Sequence, residues 1–564
     1  MAMSKTCLNL LIIHFIVFLL IQSTTQDQQT WPWIKTNYLT RSNWSSLLIP
    51  NTNNEQHSVW FIFHYLNYCG YCKKAEPGWE AVAQYALNWT KYIQIGAYDC
   101  NSESTSAGDI CQDEKYPKWR IYCPLTNKTQ LGFDSEKRTN QTTPEDILNW
   151  LVTKLNQIAE QCYGNSWPIE NAIEPNTKDD LNNIIPKNIT KFKLFVSDDI
   201  LLYTLYVLNN SNTIQTEPIY RLAMNNKLIE NSGILKGTRD TNGQIFLQTR
   251  DSNEAIKPFV LDKNIVSNLE TTNGTSTAAK RPTLSDIDSA TVWIINRDLR
   301  RGLPSSTENV KAWINTLYNF YPGSTTMKDF LYDLNEFLKN QTELSSKDFQ
   351  NYVNSTSTIK LPSLKFDHCY ASDSSRRGYP CTLWILFHSM TVKQARLAEQ
   401  NACKSIKTFD SFIFFVVLMY SSVSSNVKPF DVIVSIREFI NHYFLCEECV
   451  THFVNMTSNV ENEINSYDES VLYLWRCHNS VNKRLRYENY TNDPDWPKVP
   501  FPTKQQCNQC VQQTDENGDV IEYNSKETYQ FLKEFYYLNH SKGIDKSNRM
   551  LLFLIILINI LIFK

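Results

Sequence analysis

Glycine is scarce in this sequence, which contains 15 glycines among 564 residues. Glycine-rich loops that hold dinucleotide phosphates are therefore not expected. Neither sign of charge dominates, since the formal net charge is −3, and no basic stripe points to a nucleic-acid partner. With 42% hydrophobic and 20% charged residues, the bulk resembles ordinary globular protein, and its length predicts roughly three to four domains.

Two apolar runs lie near the ends of the chain. Lys5 precedes the run 7–21, so residues 1–25 are predicted to be a signal peptide, with an N-terminal membrane anchor as the alternative. The run 550–563 would span about 21 Å as a helix, less than the roughly 30 Å of a bilayer core. Residues 549–564 are predicted to form either a short transmembrane helix or the removable tail of a lipid-anchor signal, after a stalk at 513–548.

Glycosylation sequons support an exported chain. We expect a glycoprotein whose body faces the lumen of the secretory pathway, as in a Golgi membrane, or the cell exterior. The sequons begin at Asn43, Asn88, Asn127, Asn140, Asn188, Asn209, Asn273, Asn340, Asn354, Asn455, Asn489 and Asn539.

Cysteines are absent between Cys162 and Cys369, which predicts cysteine-bearing modules at each end and a cysteine-free middle. Without Cys7, 14 of the 15 cysteines remain, an even number suited to pairing in an oxidising compartment. Six of them form three CxxC pairs, Cys69/Cys72, Cys446/Cys449 and Cys507/Cys510. A zinc ribbon needs two such pairs about 15–20 residues apart, a spacing not found here, so no metal is expected.

The first CxxC pair stands between a predicted strand and a predicted helix. An apolar run at 59–63 leads into Cys69-Gly-Tyr-Cys72, and a helical pattern follows. Unpaired N–H groups at a helix start stabilise a thiolate, so Cys69 is expected to attack a substrate sulfur and Cys72 to resolve the mixed disulfide. Cys100 and Cys111 flank a short polar loop and are expected to pair, which leaves Cys123 and Cys162 for each other.

This order of elements resembles the thioredoxin fold of protein disulfide isomerases. The resemblance implies a cis peptide bond before Pro117, facing the CxxC pair. Three departures are visible: Tyr68 replaces a common Trp, Tyr71 replaces the His of oxidising members, and Phe63 stands where the family has a buried acid. Proton transfer to Cys72 must therefore take another route.

A second set of motifs surrounds Cys446 and Cys449. Trp384 and His388 are spaced i, i+4, and a later helix would place four polar or aromatic residues on one face. Such a face is either a buried polar network or a ligand-binding surface. In a ligand-binding surface the aromatic rings would stack on a planar ring system and the amides would recognise its edges. His452 would join this surface. The face consists of Trp475, His478, Asn479 and Asn482.

These motifs resemble the Erv/ALR sulfhydryl oxidases, and the whole chain resembles the quiescin sulfhydryl oxidase family. The resemblance implies that FAD is held in the C-terminal half and that Cys369 and Cys381 form a structural disulfide near it. Phe501 stands where the family usually has Trp. Cys403 and Cys477 lie outside the family pattern, and we expect them to pair with each other. The implied FAD contacts are Arg377, Trp384, His388, Glu448, His452, Trp475, His478, Asn479, Asn482 and Lys498.

The expected fold class is multidomain, α/β followed by all-α. We predict a thioredoxin domain at 26–165, a redox-inactive thioredoxin-like domain at 166–280, a helix-rich Erv-like region at 281–360 and an Erv/ALR helical bundle at 361–512. Cys507/Cys510 is either a plain structural disulfide or a third exchange site. Because both modules lie in one chain, a monomer is expected.

The resemblance implies a relay. Reduced protein dithiols would pass electrons to Cys69/Cys72, then to Cys446/Cys449, and through FAD to O₂, producing hydrogen peroxide. One alternative is a disulfide isomerase-like exchanger without flavin. Another is a membrane-tethered scaffold with inert disulfides.

We expect Cys69/Cys72 to be less oxidising than a Cys-Gly-His-Cys pair, because Tyr71 supplies no imidazolium to stabilise the thiolate. Equilibration with a glutathione buffer would measure the potential. A potential equal to that of a Cys-Gly-His-Cys pair would contradict this expectation.

Overall fold

The computed structural model describes residues 36–48, 59–101, 110–111, 115–123, 133–134, 143–163, 173, 178–214, 216–222, 233–249, 281–301, 303, 307–355, 363–372, 376–406, 427–488, 491–493, 495–516 and 520–538. The predicted signal peptide and the predicted membrane segment at 549–564 lie outside these residues. Within the described ranges, no helix has both the length and the apolar character needed to cross a bilayer.

The N-terminal module (described residues of 36–163) is built on a five-stranded sheet of order β1-β3-β2-β4-β5. The strands β1, β2 and β3 run parallel, and β4 and β5 continue the sheet antiparallel. The strands are β1 (Asn37–Leu39), β2 (Val59–Tyr65), β3 (Ile93–Asp99), β4 (Lys118–Tyr122) and β5 (Phe133–Asp134), and the helices are α1 (Trp44–Leu48), α2 (Gly70–Tyr85) and α3 (Pro144–Tyr163).

The sheet of this module is buried on both faces, which explains the continuous apolar run of β2. Six of the seven residues of β2 are buried. Trp79 of α2 lies on the sheet with its ring centroid 4.4 Å from that of Phe61 and 5.1 Å from that of Phe63. Phe63 therefore fills apolar space at the position where the related fold has an acid.

The middle of the chain forms a second, four-stranded sheet of order β7-β6-β8-β9. Its β6–β7 pair is parallel and its other pairs are antiparallel. Trp89 of the N-terminal module donates a 2.8 Å hydrogen bond to Asn209 of this unit. The elements are α4 (Lys178–Ile184), β6 (Lys191–Val196), α5 (Ile200–Asn209), β7 (Ile219–Leu222), β8 (Gly233–Arg239) and β9 (Ile245–Thr249).

Helices dominate the described chain from residue 281 onward, so the predicted change from α/β to all-α is found. Five helices come first: α6 (Leu284–Trp293), which a π-helical turn (Ile294–Asp298) joins to α7 (Leu299–Arg301), then α8 (Thr307–Phe320), α9 (Thr325–Lys339) and α10 (Ser346–Ser355). The C-terminal module (described residues of 363–538) adds α11 (Gly378–Ile406), α12 (Asp431–Tyr443), α13 (Glu447–Met456), α14 (Val460–Glu463), α15 (Tyr467–Leu485) and α16 (Ser525–Phe535).

One apolar face of α12 ties these helices together. Val432, Ile436, Phe439 and Tyr443 recur at helical spacing and are buried. The Phe439 ring stacks on Trp313 of α8 with centroids 4.4 Å apart. The helices of 281–355 therefore share one core with the C-terminal module.

Five disulfides are formed among the described residues. They are Cys100–Cys111, Cys123–Cys162, Cys369–Cys381, Cys446–Cys449 and Cys507–Cys510. Cys69, Cys72 and Cys477 are free and buried. The predicted Cys403–Cys477 pairing is therefore not made, because Cys477 turns into the apolar core of α15 instead.

Part of the predicted stalk at 513–548 is folded. A short hairpin, β10 (Val511–Thr514) with β11 (Val520–Tyr523), leads into α16, whose Thr528, Leu532 and Phe535 are buried at i, i+4 and i+7. This spacing gives α16 an apolar face that packs on the bundle, so the stalk prediction is wrong as far as residue 538.

Asp286 is expected to be a strong stability determinant of the helical part. Its carboxylate completes a capping box with Thr283 and accepts hydrogen bonds from the backbone N–H groups of His368 (3.0 Å) and Cys369 (3.2 Å). Asp286→Ala leaves buried donors unpaired and should lower the free energy of unfolding by about 2–3 kcal/mol. Denaturant unfolding would measure the loss, with the exposed Asp348→Ala as control; equal effects would contradict the prediction.

Candidate functional site

Two dithiol sites meet where the N-terminal and C-terminal modules touch. Cys69 is the N-cap residue of α2 and Cys446 is the N-cap residue of α13, and neither uses its side chain as a cap. Their Sγ atoms lie 2.8 Å apart. Both sulfurs thus stand at helix N-termini, where backbone N–H groups favour negative charge on sulfur.

Backbone pairing across the junction sets this approach. The Tyr116 N–H donates to the Leu445 carbonyl (2.8 Å), and the Glu447 N–H donates to the Tyr116 carbonyl (3.2 Å). The two bonds flank Cys446 and pair it with Tyr116 as in a parallel bridge. The Tyr116–Pro117 peptide bond is cis, as expected. Lys115 adds hydrogen bonds from its ammonium to two carbonyls at the end of α12.

The chemical states of the four cysteines suit thiol–disulfide exchange. Cys446 and Cys449 are joined, whereas Cys69 and Cys72 are thiols. Burial and the neighbouring Cys69 raise the pKa of Cys72 well above the usual value. Cys72 therefore stays protonated while Cys69 makes the first attack.

A cavity of about 390 Å³ lies behind the second disulfide. Cys449 and His452 of α13 face it, and Trp384 of α11 and His478 of α15 form a stacked pair in its wall, with ring centroids 4.1 Å apart and an interplanar angle of 4°. These two rings stack directly on each other, so a flat ring system could pack only on an outer face of the pair.

His478 in this wall and His388 behind it are neutral at physiological pH. Burial lowers the pKa of His478 to about 3 and that of His388 well below its usual value. Nε2 of His388 lies 3.0 Å from Nδ1 of His478, behind the cavity wall, and the His388 ring stacks on Tyr536. The pair can share one proton without carrying a charge.

Cations gather at the other end of the cavity. Burial, together with the charges of Lys73, Arg376 and Arg377 and against that of Glu488, lowers the pKa of Lys498 to about 7. Burial also lowers the pKa of Arg377 to about 10, and its guanidinium lies 4.5 Å from the centroid of the Trp496 ring. Like charges held out of water call for an anionic ligand.

These residues fit FAD. The aromatic wall matches a flavin or adenine ring, and the cationic end matches a pyrophosphate. Two buried polar atoms, Nε of Arg377 and Nδ1 of His388, have no hydrogen-bond partner in the described part of the chain.

The residues predicted from sequence to contact FAD divide into two sets. The cavity wall contains Arg377, Trp384, His452, His478, Asn482 and Lys498. The other four, His388, Glu448, Trp475 and Asn479, lie outside the wall. Trp475 and Asn479 donate hydrogen bonds to the carbonyl of Phe501, so they hold the segment that leads to the hairpin.

Several wall residues were not identified from the sequence. Lys73 directly follows the first CxxC pair, and Arg484 lies six residues beyond His478 on α15. Both positions were visible as cations near a motif. Phe535 and Tyr536 belong to the segment interpreted as stalk, where the apolar spacing of α16 was the missed signal. All four line the cavity.

Comparisons with known proteins find one family model and several relatives. Residues 381–502 match the model of the Erv1 / Alr family. The chain is 23% identical over 553 residues to sulfhydryl oxidase 1 of Gallus gallus, covering 87% of this chain and 66% of that protein. It is 24% identical to sulfhydryl oxidase 1 of Homo sapiens (84% and 64% covered) and 25% identical to sulfhydryl oxidase 2 of Mus musculus (85% and 70% covered).

The chain thus spans about two thirds of the length of these relatives. Among solved structures, the sulfhydryl oxidase fragment of human QSOX1 aligns with 25% identity and a TM-score of 0.37, covering 46% of this chain and 97% of that fragment.

Lys498 is expected to lower the free energy of unfolding of the protein when no pyrophosphate or other anionic ligand is bound beside it. The pKa of Lys498 is lower in the folded protein than in the unfolded chain, so this residue lowers the free energy of unfolding most at low pH, where it is protonated in both states. The free energy of unfolding therefore rises with pH between about 7 and 10.5. Lys498→Met should therefore stabilise the ligand-stripped protein, on the order of 2 kcal/mol at pH 6 and less at pH 9.

Thermal unfolding at both pH values would measure this gain, with the exposed Lys504→Met as control. Lys498→Met should also bind pyrophosphate at least tenfold more weakly, because one charge-assisted contact is lost. A destabilisation of equal size at both pH values would contradict the expectation.

Proposed function

We propose that this chain, which carries an Erv1/Alr domain at 381–502 and is homologous to sulfhydryl oxidases over 84–87% of its length, is a FAD-dependent oxidase that forms disulfides in protein substrates. Erv/ALR and related sulfhydryl oxidases are FAD-binding flavoproteins. The observation that carries the proposal is the 2.8 Å approach of Cys69 to Cys446, with Cys449 of the same disulfide facing the cavity.

The first step occurs at the surface of the N-terminal module. A thiolate of a reduced substrate attacks the Cys69–Cys72 disulfide at Cys69, and Cys72 leaves as a thiolate that takes up a proton. The second substrate thiolate then attacks the sulfur of its partner and releases Cys69. The substrate gains a disulfide, and Cys69 and Cys72 are left as the dithiol.

The second step moves the electron pair between modules. The Cys69 thiolate attacks Cys446, the Cys446–Cys449 bond breaks, and Cys449 leaves as a thiolate toward the cavity. Cys72 loses its proton and attacks Cys69, which releases Cys446. Cys69/Cys72 becomes a disulfide again, and Cys446/Cys449 becomes the dithiol.

The cavity residues complete the scheme. Trp384, His452, His478 and Asn482 would contact the ring systems of FAD, and Arg377 and Lys498 would hold its pyrophosphate. When bound, FAD supplies the two-electron acceptor through which thiols reduce O₂ to hydrogen peroxide. The balance is 2 R-SH + O₂ → R-S-S-R + H₂O₂.

The domain scheme and the location belong to the same proposal. We assign a thioredoxin domain to 26–165, a redox-inactive thioredoxin-like domain to 166–280 and Erv-like helices to 281–360. The FAD-binding bundle begins at residue 361 and extends to 538, with α16 included. Secretion after removal of 1–25, glycosylation, attachment to a membrane through 549–564 and a monomeric state remain parts of this proposal.

A disulfide isomerase-like exchanger without flavin accounts less well for the cavity. It needs Cys69 and Cys72 just as the oxidase does. However, it leaves Lys498 and Arg377 buried in a cavity with no anionic ligand, and the pKa of both side chains stays lowered despite the nearby carboxylates of Glu488 and Asp493. An absorption spectrum of the purified chain under air separates the two, since only the oxidase shows a flavin band that bleaches with dithiol and recovers with oxygen.

Cys69→Ser should lower oxidation of a reduced protein substrate at least a hundredfold, because no other described thiol is poised against Cys446. Flavin absorbance should stay unchanged, since the cavity wall is intact. Oxygen consumption with reduced protein and the visible spectrum would measure the two effects. The matched control is Cys477→Ser, which removes a buried thiol outside the relay and should retain activity. Loss of flavin from the Cys69→Ser variant would contradict the modular scheme.

A further inference from the structure

Tyr71, the third residue of Cys-Gly-Tyr-Cys, reaches across the junction between the modules. Its hydroxyl oxygen lies 2.9 Å from Nε2 of His452 and 3.2 Å from Nη1 of Arg484. The rings of Tyr71 and His452 stack, with centroids 6.3 Å apart and an angle of 24°. Both partners belong to the C-terminal module, on α13 and α15.

The donors and acceptors of this contact form one consistent chain. The guanidinium of Arg484 can only donate, so the Tyr71 oxygen accepts from it, and the Tyr71 hydroxyl then donates to Nε2 of His452. Burial and Arg484 lower the pKa of His452, against the carboxylates of Glu448 and Glu488, which favours the neutral imidazole that can accept. Burial also raises the pKa of Tyr71, so its hydroxyl keeps the proton.

We propose that Tyr71 is an interdomain latch, a positioning residue whose hydroxyl holds the N-terminal module against His452 and Arg484 while Cys69 faces Cys446. The proposal rests on the relay between the two dithiols described above. Cys69 serves two partners in turn, a substrate and Cys446. A contact made only in the docked arrangement favours the second partner without touching either sulfur.

The neighbouring Gly70 supports this role of the CxxC loop. A Cβ atom at Gly70 would lie 2.4 Å from Cγ2 of Thr491 in the C-terminal module, so a side chain there would force Thr491 to shift in the docked arrangement. Both residues between Cys69 and Cys72 are therefore matched to the opposite module, one by its small size and one by its hydroxyl.

The latch accounts for the departure at position 71. A histidine between the cysteines would make the pair a stronger oxidant of substrates. Tyrosine gives up that effect and gains two hydrogen bonds to the electron-accepting module, one of them charge-assisted. The backbone bonds of Tyr116 set the register by themselves, so loss of the Tyr71 hydroxyl should weaken docking without abolishing it.

The test measures docking by disulfide exchange alone. In the full chain carrying Cys72→Ser and Cys449→Ser, Cys69 and Cys446 form an interdomain disulfide. Two glutathione molecules open it, giving two thiols and glutathione disulfide. The equilibrium constant for forming this disulfide is divided by a second constant, for the exchange of Cys69 alone with glutathione, measured in the same chain with Cys446→Ser added. The ratio gives the effective concentration of Cys446 at Cys69, without any contribution from a change in the reactivity of Cys69 itself.

Tyr71→Phe, which is nearly isosteric, should lower this effective concentration roughly five- to thirtyfold, as expected for two lost hydrogen bonds. The matched control is Tyr163→Phe, which removes a hydroxyl bonded to the Tyr92 carbonyl within the N-terminal module and should change nothing. Arg484→Met should lower the effective concentration when Tyr71 is present, and it should lower it much less in the Tyr71→Phe background.

An effective concentration unchanged by Tyr71→Phe, or equal effects of Arg484→Met in both backgrounds, would overturn the latch. Failure of the parent to form the Cys69–Cys446 disulfide would overturn it too. The exchange needs neither FAD nor O₂. A colourless, inactive chain that still shows the Tyr71 effect would therefore refute the oxidase and leave the latch standing.

Discussion

The approach of Cys446 to Cys69 is the interaction on which the other features of the site depend. A sulfur–sulfur distance of 2.8 Å requires two separately folded surfaces to meet in register. The backbone of Tyr116 provides that register, because its N–H and its carbonyl pair with the residues on each side of Cys446. The C-terminal module thus presents its disulfide to the N-terminal module as an extended segment, in the manner of strand addition.

Once this junction is made, each cysteine of the second pair faces a different environment. Cys446 is fully buried against the first dithiol, while Cys449 lies in the wall of the cavity. Electrons can therefore enter at one sulfur and leave at the other. The N-terminal module also supplies Tyr68, Tyr71 and Lys73 to the cavity lining. Docking and the electrostatics of the cofactor site are therefore not independent.

The cavity trades stability for ligand binding. The neutral imidazole of His478 belongs to the cavity wall, and the neutral imidazole of His388 stacks behind it, which gives an apolar surface with polar edges that suits a flat ring system. The buried cations at Lys498 and Arg377 are costly without an anion, and the fall in their pKa values expresses that cost. Such a site is built for a ligand that carries both a flat ring and a phosphate charge.

Local sequence patterns were enough to predict the secondary-structure elements and the chemistry that they carry. The apolar run of β2, the CxxC pairs at helix starts and the spacing of Trp384 and His388 depend on neighbours a few residues away, so they could be read directly. The Cys100–Cys111 disulfide across a short loop followed for the same reason. Helical spacing narrowed the candidate ligand-binding residues to one helix face. It did not separate the residues that line the cavity from those that support the cavity wall.

The folded protein brings Cys69 against Cys446, an approach that sequence periodicity does not predict, because the two cysteines lie 377 residues apart in the chain. It also turned Trp475 and Asn479 toward Phe501 while His478 and Asn482 face the cavity, a difference of rotation that helical spacing alone does not resolve. The role of Tyr71 depends on two helices far along the chain. Such contacts form when whole modules pack against one another. The pattern of a single helix or strand does not encode which of its surfaces another module will bury.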